Sequence, residues 1–178
     1  MRTFVAVEIH DEKVLGTIAK TQSDFKIKAT PVNKQNMHFT LLFLGEISEE
    51  AAENVKKEIS KISFQPIEVK FTHMGAFPNP RSPRVVWIGV DDEAAKKLIE
   101  LAVQVEKKLE PLGFRSDKPF RPHLTIFRIK NKVDLSQTID KFKDVDFGKD
   151  VITELKFKQS VLTPNGPIYS DLQVVLAQ

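Results

Sequence analysis

The sequence predicts an α+β fold: a duplicated βα unit whose two sheets meet at a shared groove. Three observations lead there. Apolar runs of strand length alternate along the chain with segments of helical periodicity. The pattern His-x-Thr occurs twice, as His38-Phe39-Thr40 and His123-Leu124-Thr125, each near the start of an apolar run. The order strand, helix, His-x-Thr strand is found around both copies. The repeat is too long for a solenoid. No stretch between the halves is long enough to separate independent domains, so residues 1–178 are read as one two-lobed domain.

Each element has a local reason. Thr3 to Ile9 alternates as a strand does. Asp11 is placed to cap a helix to about Phe25, with Val14, Leu15, Ile18 and Phe25 inward. Pro31 breaks any continuation. Residues 37–44 form the first His-x-Thr strand, which Gly45 ends. Ser48 caps a second helix, with Glu49 and Glu50 in its first turn and Val55, Ile59 and Ile62 along one face. Ile67 to Thr72 reads as a strand, followed by a proline-rich basic loop from Phe77 to Arg84. Val85 to Val90 is a strand holding the only tryptophan, Trp87. Asp91 or Asp92 caps the clearest helix. On it Leu98, Leu101, Ala102, Val105, Leu109 and Leu112 recur at three- and four-residue steps, and Gly113 lies at its end. A second basic loop, Arg115 to Arg121, leads into the second His-x-Thr strand. A short helix follows near Ser136 to Phe142. Val151 to Leu162 reads as one long strand, Thr163 to Pro167 as a hairpin turn and Ile168 to Leu176 as the last strand.

Composition narrows the class. A hydrophobic fraction of 41% with 29% charged residues is enough material for a real core. The absence of cysteine removes disulfides and thiolate metal sites and fits a reducing compartment. The first residues carry no long apolar segment of a signal peptide, and no run of 18 apolar residues exists, so a cytoplasmic protein without a membrane span is expected. A net charge of +3 permits a polyanionic partner without demanding one.

In a strand, residues i and i+2 point to one face, so His38 pairs with Thr40 and His123 with Thr125. An imidazole gives or takes a proton near neutrality, and a threonine hydroxyl can donate to an oxyanion. Facing each other across a groove, the pairs would place one imidazole on each side of a phosphorus atom. One His-x-Thr alone is best read as a hydrogen-bonded, half-buried strand residue. The matched pair favours a site. His10 and His73 have no threonine two places on and are assigned structural roles, and Trp87 is assigned to the core. No carboxylate cluster of metal-binding spacing flanks either histidine.

These residues resemble the two-histidine (2H) phosphoesterase superfamily. Asn36-Met37-His38-Phe39-Thr40-Leu41 with Phe43-Leu44-Gly45-Glu46 is similar to the first motif of its RNA 2′,3′-cyclic phosphodiesterase family, also called the bacterial and archaeal 2′-5′ RNA ligases. Arg2 to Val7 resembles that family's opening, Pro83 to Trp87 its middle segment, Phe120 to Ile126 with Arg128 its second motif, and Gly166 to Tyr169 its C-terminal hairpin. The resemblance implies a bilobal α+β fold with two antiparallel sheets flanking a positively charged groove. It implies metal-independent, cofactor-free opening of 2′,3′-cyclic phosphates to 2′-phosphates, and reversible 2′-5′ joining of RNA ends without ATP. It also implies His38 and His123 as the acid–base pair, Thr40 and Thr125 as phosphate donors, and Arg128 as a further phosphate contact. RNA ends, tRNA fragments among them, or small cyclic nucleotides are the implied partners of a monomer.

The chemistry of the residues agrees. Opening a cyclic phosphate needs water activated on one side and a ribose oxygen protonated on the other, which two imidazoles can do. Arg128 is the awkward member, because strict alternation puts it on the face opposite His123 and Thr125. Either a bulge or the strand's twist re-aims it, or it is a solvated strand-end charge. Phe120 is a candidate to stack a base, with core packing the equal alternative. Arg81, Arg84, Arg115, Lys118 and Arg121 could steer RNA phosphates as a set. Three rival readings are an RNA-binding module without turnover, a 2H enzyme acting on 2′-5′ oligoadenylate or cyclic ADP-ribose phosphate, and a dihistidine metal site.

Overall fold

A computed structural model describes all residues, Met1–Gln178. In chain order the elements are β1 (Arg2–Glu8), α1 (Glu12–Asp24), β2 (Thr30–Pro31), β3 (His38–Glu46), α2 (Glu49–Ile59), β4 (Ile67–Phe77), β5 (Val85–Val90), α3 (Asp92–Leu109), β6 (Leu124–Arg128), α4 (Ser136–Asp140), β7 (Asp146–Ile152), β8 (Glu154–Thr163) and β9 (Gly166–Leu176). Helix starts follow their local signals. The side chains of Asp11, Ser48 and Asp91 accept from the backbone N–H of Val14, Ala51 and Ala94, so each satisfies an otherwise orphaned donor of the first turn.

Two antiparallel sheets carry the groove, one ordered β3-β1-β8-β9 and the other β2-β6-β5-β4-β7. The unit β1-α1-β3 has its counterpart in β5-α3-β6, and β8 and β9 take the places that β4 and β7 take in the other sheet. The halves are interlaced. α1 leaves the first sheet and packs on β6 and β7 of the second, whereas α3 leaves the second and touches β3. Forty-one buried residues from both lobes form a single apolar cluster. Near its centre Phe39 of β3 lies parallel to Phe71 of β4, with centroids 6.2 Å apart.

Several expectations are corrected. Val151 to Leu162 is two strands, because the chain crosses between sheets at Thr153: β7 pairs with β4, and β8 with β1 and β9. Gly45 does not end β3. It sits at a bulge with φ +76°, a conformation that glycine adopts freely, and pairing continues to Glu46. Pro31 is not what ends the helix: α1 stops at Asp24 with Phe25 extended, and Pro31 instead lies in a two-residue edge strand against β6, where its missing N–H costs no ladder bond. The strand from Ile67 runs on to Phe77 through a bulge at His73. Leu112 falls in a 3-10 turn after α3 and is 37% exposed.

Phe39 lies between His38 and Thr40 but points into the core, at 1% exposure. Phe39→Ala should lower unfolding free energy by about 3–5 kcal/mol in a denaturant titration, the range for a buried ring removed from a packed core. A loss under about 1 kcal/mol would mean that the two sheets do not share one core.

Candidate active site

Both histidines are held by the same device. Just before each strand a backbone carbonyl is left outside the ladder, and the imidazole two residues on reaches back to it. His38 Nδ1 donates to the Asn36 carbonyl at 2.7 Å, and His123 Nδ1 donates to the Arg121 carbonyl at 2.6 Å. A carbonyl only accepts, so Nδ1 carries the hydrogen in both rings and Nε2 is the nitrogen left for proton transfer. For His38, the Thr40 hydroxyl lies 3.0 Å from Nε2.

Each ring also has an aromatic seat. His38 meets Phe4 at 5.3 Å and the edge of Tyr169 at 5.4 Å. His123 meets Phe77 at 4.9 Å and Trp87 at 6.1 Å, both steeply inclined. Trp87, assigned to the core from sequence, is therefore only half-buried and forms a wall behind the second imidazole. It lies flat across Gly75, where a Cβ would come within 2.3 Å of its ring.

Arg128 reaches the groove because β6 bulges. Val86 pairs with Phe127 but the next residue, Trp87, pairs with Thr125, leaving Ile126 without a counterpart. The extra residue flips the alternation, so Leu124, Ile126 and Phe127 are buried while Thr125 and Arg128 line the cavity. β3 has the matching irregularity. Val5 pairs with Leu42 and Ala6 with Thr40, which leaves Leu41 over and turns Phe43 to the groove, 63% exposed. Phe43 is thus the structural equivalent of Arg128. The bulge at Ile126 frees its carbonyl, which accepts from the Val32 backbone N–H at 3.0 Å and from Gln22 Nε2 at 2.8 Å.

The groove, about 520 Å³, is lined by His38, Thr40, His123, Thr125 and Arg128 together. Its cations are Lys118, Arg121 and Arg128, and no carboxylate lines it. Phe120 lines it too, partly buried against the core. The basic set divides. Lys118 and Arg121 line the groove, but Arg115 pairs with Glu110, Arg84 donates to the Lys130 carbonyl, and Arg81 borders a separate cavity beside His73. Arg128 makes no ion pair. Phe43, Phe77 and Tyr169 line the groove without having been singled out as site residues. The signal for Phe43 was the doubled apolar pair after each His-x-Thr, Leu41-Leu42 and Ile126-Phe127.

Both imidazoles have lowered pKa values. Burial depresses His38, the bond to Asn36 opposes this, the Lys158 charge adds to it, Glu8 opposes it, and Arg128 adds to it. Burial likewise depresses His123, against the Arg121 carbonyl bond and with the Arg121 charge. The free groove therefore favours neutral imidazoles. No group of three or more His, Asp or Glu side chains is gathered for a metal ion, and no helix is long and apolar enough to cross a membrane.

A family model described as LigT like Phosphoesterase matches the chain twice, over residues 7–87 and 88–169, so each copy holds one His-x-Thr. The chain belongs to the LigT-like phosphoesterase family. It is 45% identical to a protein of Archaeoglobus fulgidus named RNA 2′,3′-cyclic phosphodiesterase, over 98% of this chain and 99% of that one. A protein of the same name from Aquifex aeolicus is 40% identical over 85% of this chain and 83% of its own length. Among solved structures, E. coli LigT complexed with 3′-AMP superposes with a TM-score of 0.82 at 26% identity, covering 99% of this chain and 98% of that one.

Gln22 supports the bulge that aims Arg128. Gln22→Leu should destabilise the fold by about 1–2 kcal/mol, the cost of a carbonyl losing a partner. It should also weaken anion binding in the groove as Arg128 loses its aim. Unchanged melting temperature and unchanged phosphate affinity by calorimetry would detach Gln22 from that role.

Proposed function

We propose that this chain hydrolyses RNA ends bearing a 2′,3′-cyclic phosphate and leaves a 2′-phosphate. The observation that carries the reading is the pair of imidazoles lining one carboxylate-free groove, each with Nδ1 tied to a carbonyl and Nε2 left to exchange a proton. The name carried by the Archaeoglobus and Aquifex relatives supports the substrate class.

In this reading His123 takes a proton from the attacking water while His38 gives one to the departing O3′. Protonated His38 no longer accepts from Thr40, so that hydroxyl is released toward a phosphoryl oxygen. Thr125 and the unpaired Arg128 hold the other oxygens as charge builds. With a 5′-hydroxyl in place of water, the same step joins that hydroxyl to the cyclic end as a 2′-5′ bond: His123 takes its proton, and His38 again gives one to the departing O3′. The strained ring supplies the driving force without ATP. Both proton transfers are assigned to side chains, so no metal is needed.

The groove is polar in one direction. Its cations all come from the second half of the chain, whereas the exposed ring of Phe43 stands on the first. The phosphate sits toward Arg128, Lys118 and Arg121 receive the phosphates of the preceding nucleotides, and the terminal base stacks on Phe43 or Phe120. Such a strand-tracking wall suits an RNA end better than a mononucleotide, in a monomeric cytoplasmic protein.

With RNA ending in a 2′,3′-cyclic phosphate, His38→Ala and His123→Ala should each lower kcat by about 10²–10⁴-fold, and the double variant should be little worse. Near-normal turnover in either single variant would remove the acid–base pair. EDTA should leave the rate unchanged, and phosphorus NMR should show a 2′-phosphate; a 3′-phosphate would overturn the regiochemistry and the link to 2′-5′ joining. Arg128→Ala should slow turnover and weaken phosphate binding, and Arg128→Lys should recover only part, since lysine lacks the planar fork. Phe43→Ala should raise KM for nucleoside cyclic phosphates about tenfold with little change in kcat, the scale of one lost base stack.

A further inference from the structure

Behind His38 lies a cluster of charges that the proposed reaction does not use. Lys156 and Lys158 of β8 each touch both Glu8 of β1 and Asp171 of β9, forming a ring of two ammonium groups and two carboxylates, with Glu154 outside it 3.7 Å from Lys156. Lys156 Nζ is 3.0 Å from Glu8 and 2.9 Å from Asp171. The Lys158 side chain is 6% exposed, Lys156 12% and Glu8 16%. Asp171 is 34% exposed, but charges as far from water as the other three are costly, and such a ring is weak ground for stability alone.

Its position suggests another use. In the sheet order β3-β1-β8-β9, Glu8 lies between the two lysines on one side and His38, its Cα partner across the β1–β3 ladder, on the other. Both Glu8 oxygens are taken, Oε1 by Lys158 and Oε2 by Lys156. Two residues before Asp171 on the same strand, Tyr169 carries the ring that meets both Phe4 and His38.

We propose that the Glu8–Lys156–Asp171–Lys158 ring is the positioning element of His38, turning the Glu8 carboxylate away from the imidazole, cancelling its charge and fixing the Tyr169 strand beside it. Without the lysines, a carboxylate neighbouring His38 would pair with it and hold it as imidazolium. The groups that bear on His38 and on the ring of charges are Glu8 from β1, Glu154, Lys156 and Lys158 from β8, Tyr169 and Asp171 from β9, and Arg128 from β6. Burial alone would raise Glu8 and Asp171, yet the bonds from Lys158 and Lys156 hold both below the usual carboxylate range, so the ring stays ionised as the groove titrates.

This proposal rests on the reading of His38 as an acid–base group, but its test does not require turnover. The imidazole titrations of both histidines are followed by NMR in the full chain. Lys158→Met leaves the ring with a net negative charge and should raise the His38 pKa by about one unit. Glu8→Gln leaves it positive and should lower the His38 pKa further. His123 should hold its value in both variants. Opposite shifts confined to His38 establish the role. No shift, or equal shifts of both histidines, overturn it. If Lys158→Met fails to fold, Glu8→Gln alone decides by its sign. In the kcat/KM profile of Lys158→Met only the limb belonging to His38 should move: the alkaline limb upward if His38 is the acid, the acid limb upward if it is the base. An unmoved profile in a folded, active variant counts against the proposal. Wild-type failure on cyclic phosphates, with the NMR shifts intact, would instead sink the function and spare the ring.

Discussion

What the groove gains beyond its two His-x-Thr pairs depends on one extra residue in each of two strands. A regular strand would show the groove its first, third and fifth residues, which in the second motif are His123, Thr125 and Phe127. The bulge at Ile126 changes the phase after the third, so Phe127 turns to the core and Arg128 to the cavity. The bulge at Leu41 does the same in β3 and delivers Phe43. A bulge leaves backbone groups unpaired, and the fold answers this around β6 with a side chain from α1 and the short edge strand β2. The interlaced topology, with α1 packed on the opposite sheet, is what brings Gln22 within reach.

The duplicated frame treats its two imidazoles alike and the rest of the site differently. Both rings bond a carbonyl two residues back, and both rest on a pair of aromatic side chains. Proton transfer in opposite directions across one phosphorus asks for such matched holders. Binding a nucleotide asks for the reverse, since a ribose phosphate has a charged side and a flat apolar side. At the equivalent positions Arg128 and Phe43 the groove has a guanidinium on one strand and a ring on the other, which in the proposed function meet those two sides.

What could be read in the sequence were the features fixed by near neighbours. The caps at Asp11, Ser48 and Asp91, the apolar stripe of α3 and the hairpin at Pro164-Asn165 all depend on residues a few places apart. So does the pairing of His38 with Thr40 and of His123 with Thr125 on one face. The errors were made by distant partners. Nothing near Thr153 shows that the chain changes sheets there, because both segments are regular strands and only β4 and β1, far away in sequence, decide which ladder each joins. At Gly45 a glycine in a bulge and a glycine ending a strand look alike until the opposite strand is known. The phase change before Arg128 did have a local trace, two apolar residues in a row where alternation calls for one, but only a known partner strand makes that a bulge.

The electrostatics of the site form a balance rather than a field of one sign. A groove lined by Lys118, Arg121 and Arg128 without a carboxylate attracts an anion, but the burial of both rings, helped by the charges of Lys158 and Arg128 at His38 and of Arg121 at His123, discourages either imidazole from holding a proton. One of the two must be charged for a leaving oxygen to be protonated. A bound phosphodiester brings its own negative charge between the rings, offsetting the cations that lowered their pKa values and favouring the protonated form of one. In the proposed reaction the proton needed for the leaving group is thus taken up more readily with the substrate in place than in the empty groove, where both pKa values are lowered. A carboxylate in the wall would upset this by supplying the negative charge permanently. The structure has one close by, Glu8, and it is the one whose two oxygens are both engaged by lysines on the far side of its strand.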